Sequence, residues 1–286
     1  MRIVVTGAQG QLGAALVHEF RATHDVTALS HADLDVTGDA AVASTMTALR
    51  PDAIINAAAY NDVDGAEDHP LDALDLNAFA VRALARAAER CGAALIHYST
   101  DFVFNGTASQ PMTETDRPNP QSVYAASKLL GEWFAADVDR QYVLRVESLF
   151  GQAPGGPAPK GSIGAMIARL RAGEEVRAYE DRTVSPTYVC DAASATRALL
   201  ERAAAPGLYH CVNSGSGTWL ELAGELARQL GVTGRLVPVR MQDVTLRAQR
   251  PKYCALSNQK LADAGFAMPP WQDALARYLE SARVSG

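Results

Sequence analysis

The first half of the chain alternates short runs of β-branched residues with longer stretches whose apolar residues recur at helical spacing. Strands are predicted at residues 3–6, 26–29, 53–56, 94–98 and 142–146. Helices are predicted between them at residues 12–21, 40–49, 71–91 and 123–136. Strands and helices that alternate in this way form parallel sheets joined by crossover helices. The pattern predicts an α/β fold with a doubly wound parallel sheet of the Rossmann type.

The pattern changes after Gly151. Residues 152–162 contain three Pro and three Gly, so they cannot form a regular helix or strand throughout. We predict a loop there, which could be a linker or a functional lid. Beyond it, helices are expected at residues 163–172, 191–204 and 219–230, and strands at residues 176–179 and 208–212.

Composition narrows the class of protein. The 286 residues are 48% hydrophobic and 20% charged, with a net charge of -6, so there is no basic field for nucleic acid or an anionic membrane. The chain starts directly in a strand and has no apolar run near the roughly 20 residues that span a bilayer. We expect a cytoplasmic protein with a small-molecule partner. The 4 cysteines are far apart, which predicts reduced packing residues and no metal site.

A glycine-rich turn follows the first strand directly. Gly7, Gly10 and Gly13 form a GxxGxxG loop that leads into a helix. The first glycine permits the tight turn, the second lets the backbone approach a pyrophosphate, and the third lets the helix pack on the sheet. The helix N-terminus adds free N–H groups and a positive dipole end. This context predicts a dinucleotide-binding site.

The second strand ends at Ser30 without an acidic residue that would hold a ribose 2′-hydroxyl. NADPH is therefore favoured over NADH. Asp33 and Asp35 are nearby carboxylates, which leaves NADH open, and Asp35 and Val36 are expected to lie against the adenine. Residues 1–150 are predicted to form the dinucleotide-binding Rossmann domain, with later contributions from about 185–213. Residues 151–286 are predicted to form mainly a smaller α/β substrate-binding domain.

Three side chains form a candidate catalytic group. Tyr124 and Lys128 are four residues apart, which places them on the same face of a helix. A ketone that accepts hydride needs a positioned acid, and a nearby ammonium is expected to lower the pKa of the phenol. Thr100 ends an apolar strand at the expected ligand side of the sheet, where its hydroxyl could stabilise charge on the carbonyl oxygen. His97 and His210 are interpreted as core histidines.

With these features, the chain resembles the extended short-chain dehydrogenases, and most closely the dTDP-4-dehydrorhamnose reductases, over nearly its whole length. The resemblance is carried by residues 7–13, 56–60, 63–67, 99–101, 124–128, 185–187, 207–210 and 250–251. It implies that the protein reduces the 4-keto group of a nucleotide-linked 6-deoxyhexose.

The resemblance and the motifs together give a set of expected site residues. The catalytic residues are Thr100, Tyr124 and Lys128. The cofactor-binding residues are Gly7, Gly10, Gln11, Leu12, Gly13, Asp35, Val36, Ala57, Ala58, Ala59, Tyr60, Asn77, Ser99, Tyr124 and Lys128. The substrate-binding residues are Asn61, Val63, Thr100, Asp101, Phe102, Ser148 and Arg182. For Arg182, bidentate binding of a diphosphate and a surface ion pair both stay open.

The chain departs from the family pattern at three positions. Ser148 stands where the family usually has a Trp that contacts the sugar, Asn61 replaces a Thr, and Phe102 replaces a Tyr. These changes keep the redox group but leave the exact sugar open. An epimerase, a reductase of other stereochemistry and a non-catalytic dinucleotide-binding regulatory subunit are the alternatives. The Ala-rich surface of residues 83–94 could pack on the sheet or form a homodimer.

Overall fold

A six-stranded parallel sheet lies at the centre of the protein. The computed structural model describes residues 1–158 and 161–284. The sheet contains β1 (Arg2–Thr6), β2 (Asp25–Leu29), β3 (Ala53–Asn56), β4 (Ala94–Thr100), β5 (Gln141–Val146) and β10 (Gly207–His210). Their order is β10-β5-β4-β3-β1-β2, and every neighbouring pair is parallel. The predicted doubly wound Rossmann sheet is confirmed, and its switch point lies between β1 and β3.

Helices cover both faces of this sheet and bury two apolar layers. On one face, α1 (Gln11–Arg21) packs against α8 (Val189–Glu201). On the other face, α2 (Asp39–Leu49) packs against α5 (Ala80–Cys91), and α6 (Val123–Ala135) lies beside α5. Strands that helices cover on both faces are buried along their whole length, and the central strands β3 and β4 are buried at every position.

The helix predicted at residues 71–91 is divided into segments. After α3 (Gly65–Asp68), α4 (Pro70–Leu74) runs into a π-helical turn at Asp75–Phe79 and then into α5. The turn brings the Asn77 backbone against α6 so closely that a Cβ on Gly131 would lie 2.2 Å from the Asn77 carbonyl oxygen. Turns of this type often occur at functional sites.

The remaining elements form small sheets and helices at the carboxyl edge of the main sheet. They are β6 (Leu149–Phe150), α7 (Ser162–Arg171), β7 (Val176–Tyr179), β8 (Thr183–Val184), β9 (Thr187–Tyr188), β11 (Gly217–Thr218), α9 (Trp219–Leu230), β12 (Leu236–Val239), a 3-10 turn (Met241–Asp243), α10 (Gln259–Asp263) and α11 (Trp271–Val284). β6 pairs with β9, β7 with β12 and β8 with β11. The strand predicted at 208–212 is β10, which belongs to the main sheet. The division into two domains stays a prediction.

The predicted glycine and proline loop has no regular structure over residues 152–158, and α7 begins at Ser162. Residues 159 and 160 of that prediction lie outside the described residues. Within the described ranges, every helix is too short or too polar to cross a membrane. All four cysteines are free, and Cys211 and Cys254 are buried, as expected for packing residues.

Candidate active site

The turn between β1 and α1 requires glycine for steric reasons at two positions. Gly7 has a φ of +65°, and a Cβ there would lie 2.6 Å from the Ala58 backbone nitrogen. A Cβ on Gly13 would lie 2.1 Å from the Gly7 carbonyl oxygen. A Cβ on Gly10 would lie 3.2 Å from its nearest atom, so packing within the fold requires glycine less strictly at this position. Gly10 is the uncapped N-cap of α1, and its bare backbone leaves room for a pyrophosphate.

A cavity of about 700 Å³ opens at the carboxyl ends of the central strands. Four segments far apart in the chain meet there: the glycine loop, the loop after β3, the end of β4 and the start of α6. The predicted site residues that line it are Gly10, Gln11, Leu12, Gly13, Ala57, Ala58, Ala59, Asn61, Val63, Ser99, Thr100, Asp101, Phe102, Tyr124, Lys128, Ser148 and Arg182. One cavity therefore joins the predicted cofactor, catalytic and substrate residues.

Five predicted cofactor residues lie outside the lining of this cavity. Gly7 lies beneath the loop, Asp35 is exposed after β2, and Val36 is buried in the core. The Asn77 side chain is fully buried: its Oδ1 accepts from the Tyr60 backbone N–H at 2.9 Å, and its Nδ2 donates to the Tyr60 carbonyl at 3.0 Å. Asn77 therefore shapes the loop after β3 and reaches the cavity only through that loop.

Asp33, one of the two carboxylates that left NADH open, lies at the end of β2. The Ser30 backbone N–H and hydroxyl both donate to Asp33 Oδ2, at 2.9 and 2.6 Å. These bonds lower the pKa of Asp33, so a carboxylate stands beside the strand end. This turn weakens the reason given above for favouring NADPH, because a carboxylate there suits a ribose 2′-hydroxyl.

The candidate catalytic side chains converge as predicted. Tyr124 and Lys128 lie on the buried face of α6, and Thr100 ends β4. Burial and the Asp101 carboxylate raise the pKa of Tyr124, and a hydrogen bond with Thr100 opposes this shift only in part. The expectation that Lys128 would lower the pKa of the phenol is wrong here, because desolvation of the buried phenol is the largest effect. Tyr124 keeps its proton at neutral pH.

Lys128 is fixed in one position by the end of β4. Its Nζ donates to the Tyr98 carbonyl at 2.6 Å, and only 3% of the residue is exposed. Burial lowers the pKa of Lys128 to about 8, although the Glu132 carboxylate opposes the shift. The ammonium is therefore charged at neutral pH and points along the strand end towards the cavity that it lines.

A buried ion pair holds the helix that carries Tyr124 and Lys128 against the sheet. Arg145 on β5 donates from Nε and NH2 to the two carboxylate oxygens of Glu132 on α6, at 2.8 and 2.7 Å. The Ser99 hydroxyl donates to the same carboxylate at 2.5 Å. Bidentate pairs of this kind fix geometry as well as charge. They connect α6, which carries Tyr124 and Lys128, to β4 and β5.

The two histidines weighed in the sequence are core residues. His97 is fully buried, and burial, with Lys128 nearby, lowers its pKa well below the usual value. Burial and Arg145 lower the pKa of His210 to about 3. Both rings are neutral at physiological pH, so neither is placed to act as an acid.

Beside the cavity lies a group of four ionisable side chains, of which sequence reasoning missed Glu147 and Cys254. One carboxylate oxygen of Asp101, one of Glu147 and the Cys254 Sγ all lie within 4.8 Å of one another. Arg182 is close enough to favour the charged carboxylates, and its guanidinium lies 5.4 Å from the centre of the Phe102 ring. We call Asp101, Glu147, Arg182 and Cys254 the buried cluster. Spacing gave no signal for it, because its members come from four separate segments.

A second cavity, of about 430 Å³, adjoins the first. Ser162, Arg182 and Trp219 line both cavities. The Trp219 Nε1 and Arg182 Nε atoms are buried and have no hydrogen-bond partner among the described residues. Trp219 was not predicted as a site residue, because a Trp that begins a helix is typical of core packing. Ser148, in the position of the family's Trp, has a φ of 45° and lines the first cavity.

The chain is similar to known proteins over nearly its whole length. Residues 1–284 match the family model described as RmlD substrate binding domain. The chain is 37% identical over 287 residues to a dTDP-4-dehydrorhamnose reductase of Mycobacterium tuberculosis, covering 97% of this chain and 92% of that protein. It is 36% identical over 284 residues to a Streptomyces griseus protein of the same name, covering 96% and 91%.

A solved structure has the same fold over almost the full length. The Bacillus anthracis dTDP-4-dehydrorhamnose reductase in complex with NADP aligns with a TM-score of 0.92 and 32% identity. The alignment covers 98% of this chain and 99% of that one. The similarity therefore includes both the sheet and the smaller elements at its carboxyl edge.

Proposed function

Because the chain belongs to the RmlD substrate binding domain family, we propose that it uses NADPH to reduce the 4-keto group of a nucleotide-linked 6-deoxyhexose. The observation that carries the proposal is the single cavity that joins the glycine loop to Thr100, Tyr124 and Lys128. Relatives with the name dTDP-4-dehydrorhamnose reductase and a neighbour in complex with NADP support the substrate class and the cofactor.

The residues present fit a dinucleotide. The bare backbone at Gly10 and the uncapped N-terminus of α1 would hold the pyrophosphate, and Lys128 would bind the nicotinamide ribose. The bound cofactor supplies hydride to the carbonyl carbon. Gln11 connects the glycine loop to the segment after β6, since its Nε2 donates to the Gly151 carbonyl at 2.6 Å.

Three side chains would stabilise the negative charge on the carbonyl oxygen and supply its proton. Tyr124 gives its phenolic proton to the carbonyl oxygen as negative charge develops. The Thr100 hydroxyl has one proton, which it donates to Asp101 Oδ1 in this structure, so it would turn from Asp101 to the carbonyl oxygen when the substrate binds. The Lys128 ammonium, held by the Tyr98 carbonyl, is the positive charge that stabilises the phenolate left on Tyr124. Burial of Tyr124 keeps the proton in place until the substrate has bound.

The second cavity would take the nucleoside end of the substrate. A sugar at Tyr124 and a nucleoside in the second cavity would place the diphosphate at their junction, where the buried N–H groups of Arg182 and Trp219 have no partner among the described residues. Such donors recognise phosphate oxygens well. Replacing Trp219 with Phe keeps most of the ring and removes the N–H, so KM for the nucleotide sugar should rise while kcat changes little.

The decisive experiment follows NADPH absorbance with a panel of nucleotide-linked 4-keto-6-deoxyhexoses and identifies the products by NMR. Net oxidation of NADPH with formation of a 4-hydroxy sugar supports the proposal. Turnover without net consumption of NADPH would indicate epimerisation. Absence of turnover on every sugar, combined with tight NADPH binding, would favour a regulatory subunit.

We also propose that the protein is cytoplasmic and forms a homodimer. One apolar surface supports the homodimer. Trp133 on α6 is 63% exposed, and Phe79 nearby is 38% exposed. The Phe79 and Phe134 rings are 6.2 Å apart. Light scattering of the wild type and of Trp133→Glu tests this: a dimer that becomes a monomer supports the surface, and a monomeric wild type contradicts it.

A further inference from the structure

The buried cluster contains more carboxyl groups than its one guanidinium can balance. Asp101 and Glu147 are both buried, and Arg182 is the cation that faces them. If both acids were ionised, two like charges would lie within 4.8 Å of each other, away from water. Carboxyl groups at such a distance normally retain a proton between them.

Two carboxyl oxygens without a hydrogen-bond partner among the described residues indicate the position of that proton. Asp101 Oδ2 and Glu147 Oε1 are both buried without a hydrogen-bond partner in the part of the chain described. Ionised carboxylates only accept hydrogen bonds, whereas a protonated carboxyl group also donates one. We propose that Asp101 and Glu147 share one proton, which Glu147 Oε1 carries and donates to Asp101 Oδ2.

The surroundings hold Glu147 in place for this role. Its Oε2 accepts from the Ser185 backbone N–H at 2.6 Å, and its own backbone N–H donates to Thr187 Oγ1 at 3.2 Å. The groups that face it are therefore Asp101, Arg182, the Cys254 thiol and two neutral partners. Burial and Asp101 raise the pKa of Glu147 well above the usual value, and burial raises that of Asp101 to about 6. Cys254 stays a neutral thiol because burial raises its pKa well above the usual value.

The shared proton influences the catalytic group by fixing the position of Asp101. Asp101 Oδ1 accepts from the Thr100 hydroxyl at 2.9 Å, and Thr100 interacts with Tyr124. Glu147 does not line the cavity. It is thus a positioning residue, which anchors Asp101 and through it Thr100. This catalytic consequence rests on the proposed function, whereas the shared proton itself does not.

Infrared difference spectroscopy tests the proton without any substrate. At pH 7, the wild type should show the carbonyl stretch of a protonated, buried carboxyl group. Glu147→Gln should lose it, and the exposed control Glu174→Gln should keep it. In Asp101→Asn the band should disappear at a lower pH than in the wild type, because Glu147 then keeps Arg182 but no longer has a second carboxyl group beside it. A wild type without the band, or a band whose pH dependence is the same in Asp101→Asn, would overturn the shared proton.

Kinetics tests the positioning role. Gln at position 147 can accept from the Ser185 N–H and donate to Asp101 Oδ2, so kcat should stay within a few-fold of the wild type. Leu at position 147 has a similar size but cannot donate, so kcat should fall about tenfold or more with little change in KM. Equal losses in both variants would overturn the role.

Three further outcomes of these experiments can be distinguished. If the Leu variant does not fold, the infrared comparison of Glu147→Gln with Asp101→Asn still decides. If no sugar is reduced, the proposed function fails while the infrared result stands. Saturable binding of Zn²⁺ in calorimetry, lost in Cys254→Ser, would mean that the cluster holds a cation and would overturn the shared proton.

Discussion

Removing one member of the buried ion pair between Glu132 and Arg145 should destabilise the protein strongly. Arg145 is 2% exposed and Glu132 is 7% exposed. The change Arg145→Met fills a similar volume but leaves the Glu132 carboxylate buried, with the Ser99 hydroxyl as its remaining partner. A buried charge that loses its partner costs about 3–5 kcal/mol. The free energy of unfolding should fall by that amount in urea titrations followed by tryptophan fluorescence.

The double variant Glu132→Leu with Arg145→Met separates charge from packing. Both charges are then absent, and replacing a buried pair by apolar residues is often neutral or stabilising. One cost remains, because the Ser99 hydroxyl loses its acceptor, and an unsatisfied buried hydroxyl costs about 1–3 kcal/mol. The double variant should therefore be more stable than either single variant.

The comparison also tests the link to catalysis. Because the pair connects α6 to β4 and β5, the single variants should lose NADPH oxidation at temperatures where they remain folded. Single variants that lose less than about 1 kcal/mol, or a double variant whose loss equals the sum of the two single losses, would refute the reasoning.

Three further changes test the site. Tyr124→Phe should lower kcat about 10²–10⁴-fold, the usual worth of a positioned acid, with unchanged NADPH affinity in calorimetry; undiminished turnover would exclude this donor. Gly13→Ala should lose NADPH binding and stability, since its Cβ would lie 2.1 Å from the Gly7 oxygen, whereas the helical control Gly224→Ala, whose nearest atom is 3.9 Å away, should keep both in the same assays. Folded Lys128 should add a positive slope to the unfolding free energy of the ligand-free protein between about pH 8 and 10.5, because in this range unfolded chains bind a proton that folded Lys128 has lost. Buried Cys211 and Cys254 add a slope of the opposite sign, so the test is the difference between variants: the slope should be lower in Lys128→Met than in the wild type. A curve of the same slope in Lys128→Met would contradict that assignment.

Features that depend on local spacing could be predicted from the sequence. The strand and helix pattern gave the parallel sheet, and the ends of its strands meet at one edge by geometry alone. Tyr124 and Lys128 share a helix face because they are one turn apart, and Gly13 is required by its contact with Gly7 in the same turn. These relations hold without knowledge of how distant segments pack.

Features that depend on packing between distant segments could not be predicted. Glu147 and Cys254 are more than 100 residues apart. In the sequence, Glu147 is simply the residue after a strand and Cys254 is typical of a buried packing thiol, so neither indicates a site. Trp219 belongs to the second cavity only because α9 packs there. The pKa of Tyr124 was given the wrong direction because a sequence shows the nearby ammonium but not the degree of burial. Desolvation is a sum over all neighbours, and it needs the folded structure.

Burial shifts the pKa values of Tyr124 and Lys128 on α6 in opposite directions, and this opposition suits the proposed reaction. It raises the pKa of the Tyr124 phenol and lowers that of the Lys128 ammonium, since it disfavours whichever form is charged. When the phenol gives up its proton to a developing alkoxide, the negative charge moves from the substrate to Tyr124 and the cavity gains none. The phenolate then lies in a site whose nearby cation has been poorly solvated from the start. An ammonium that lacks water gains more from a new anion than a hydrated one does, so the cost of burying Lys128 is recovered in the step that forms the phenolate.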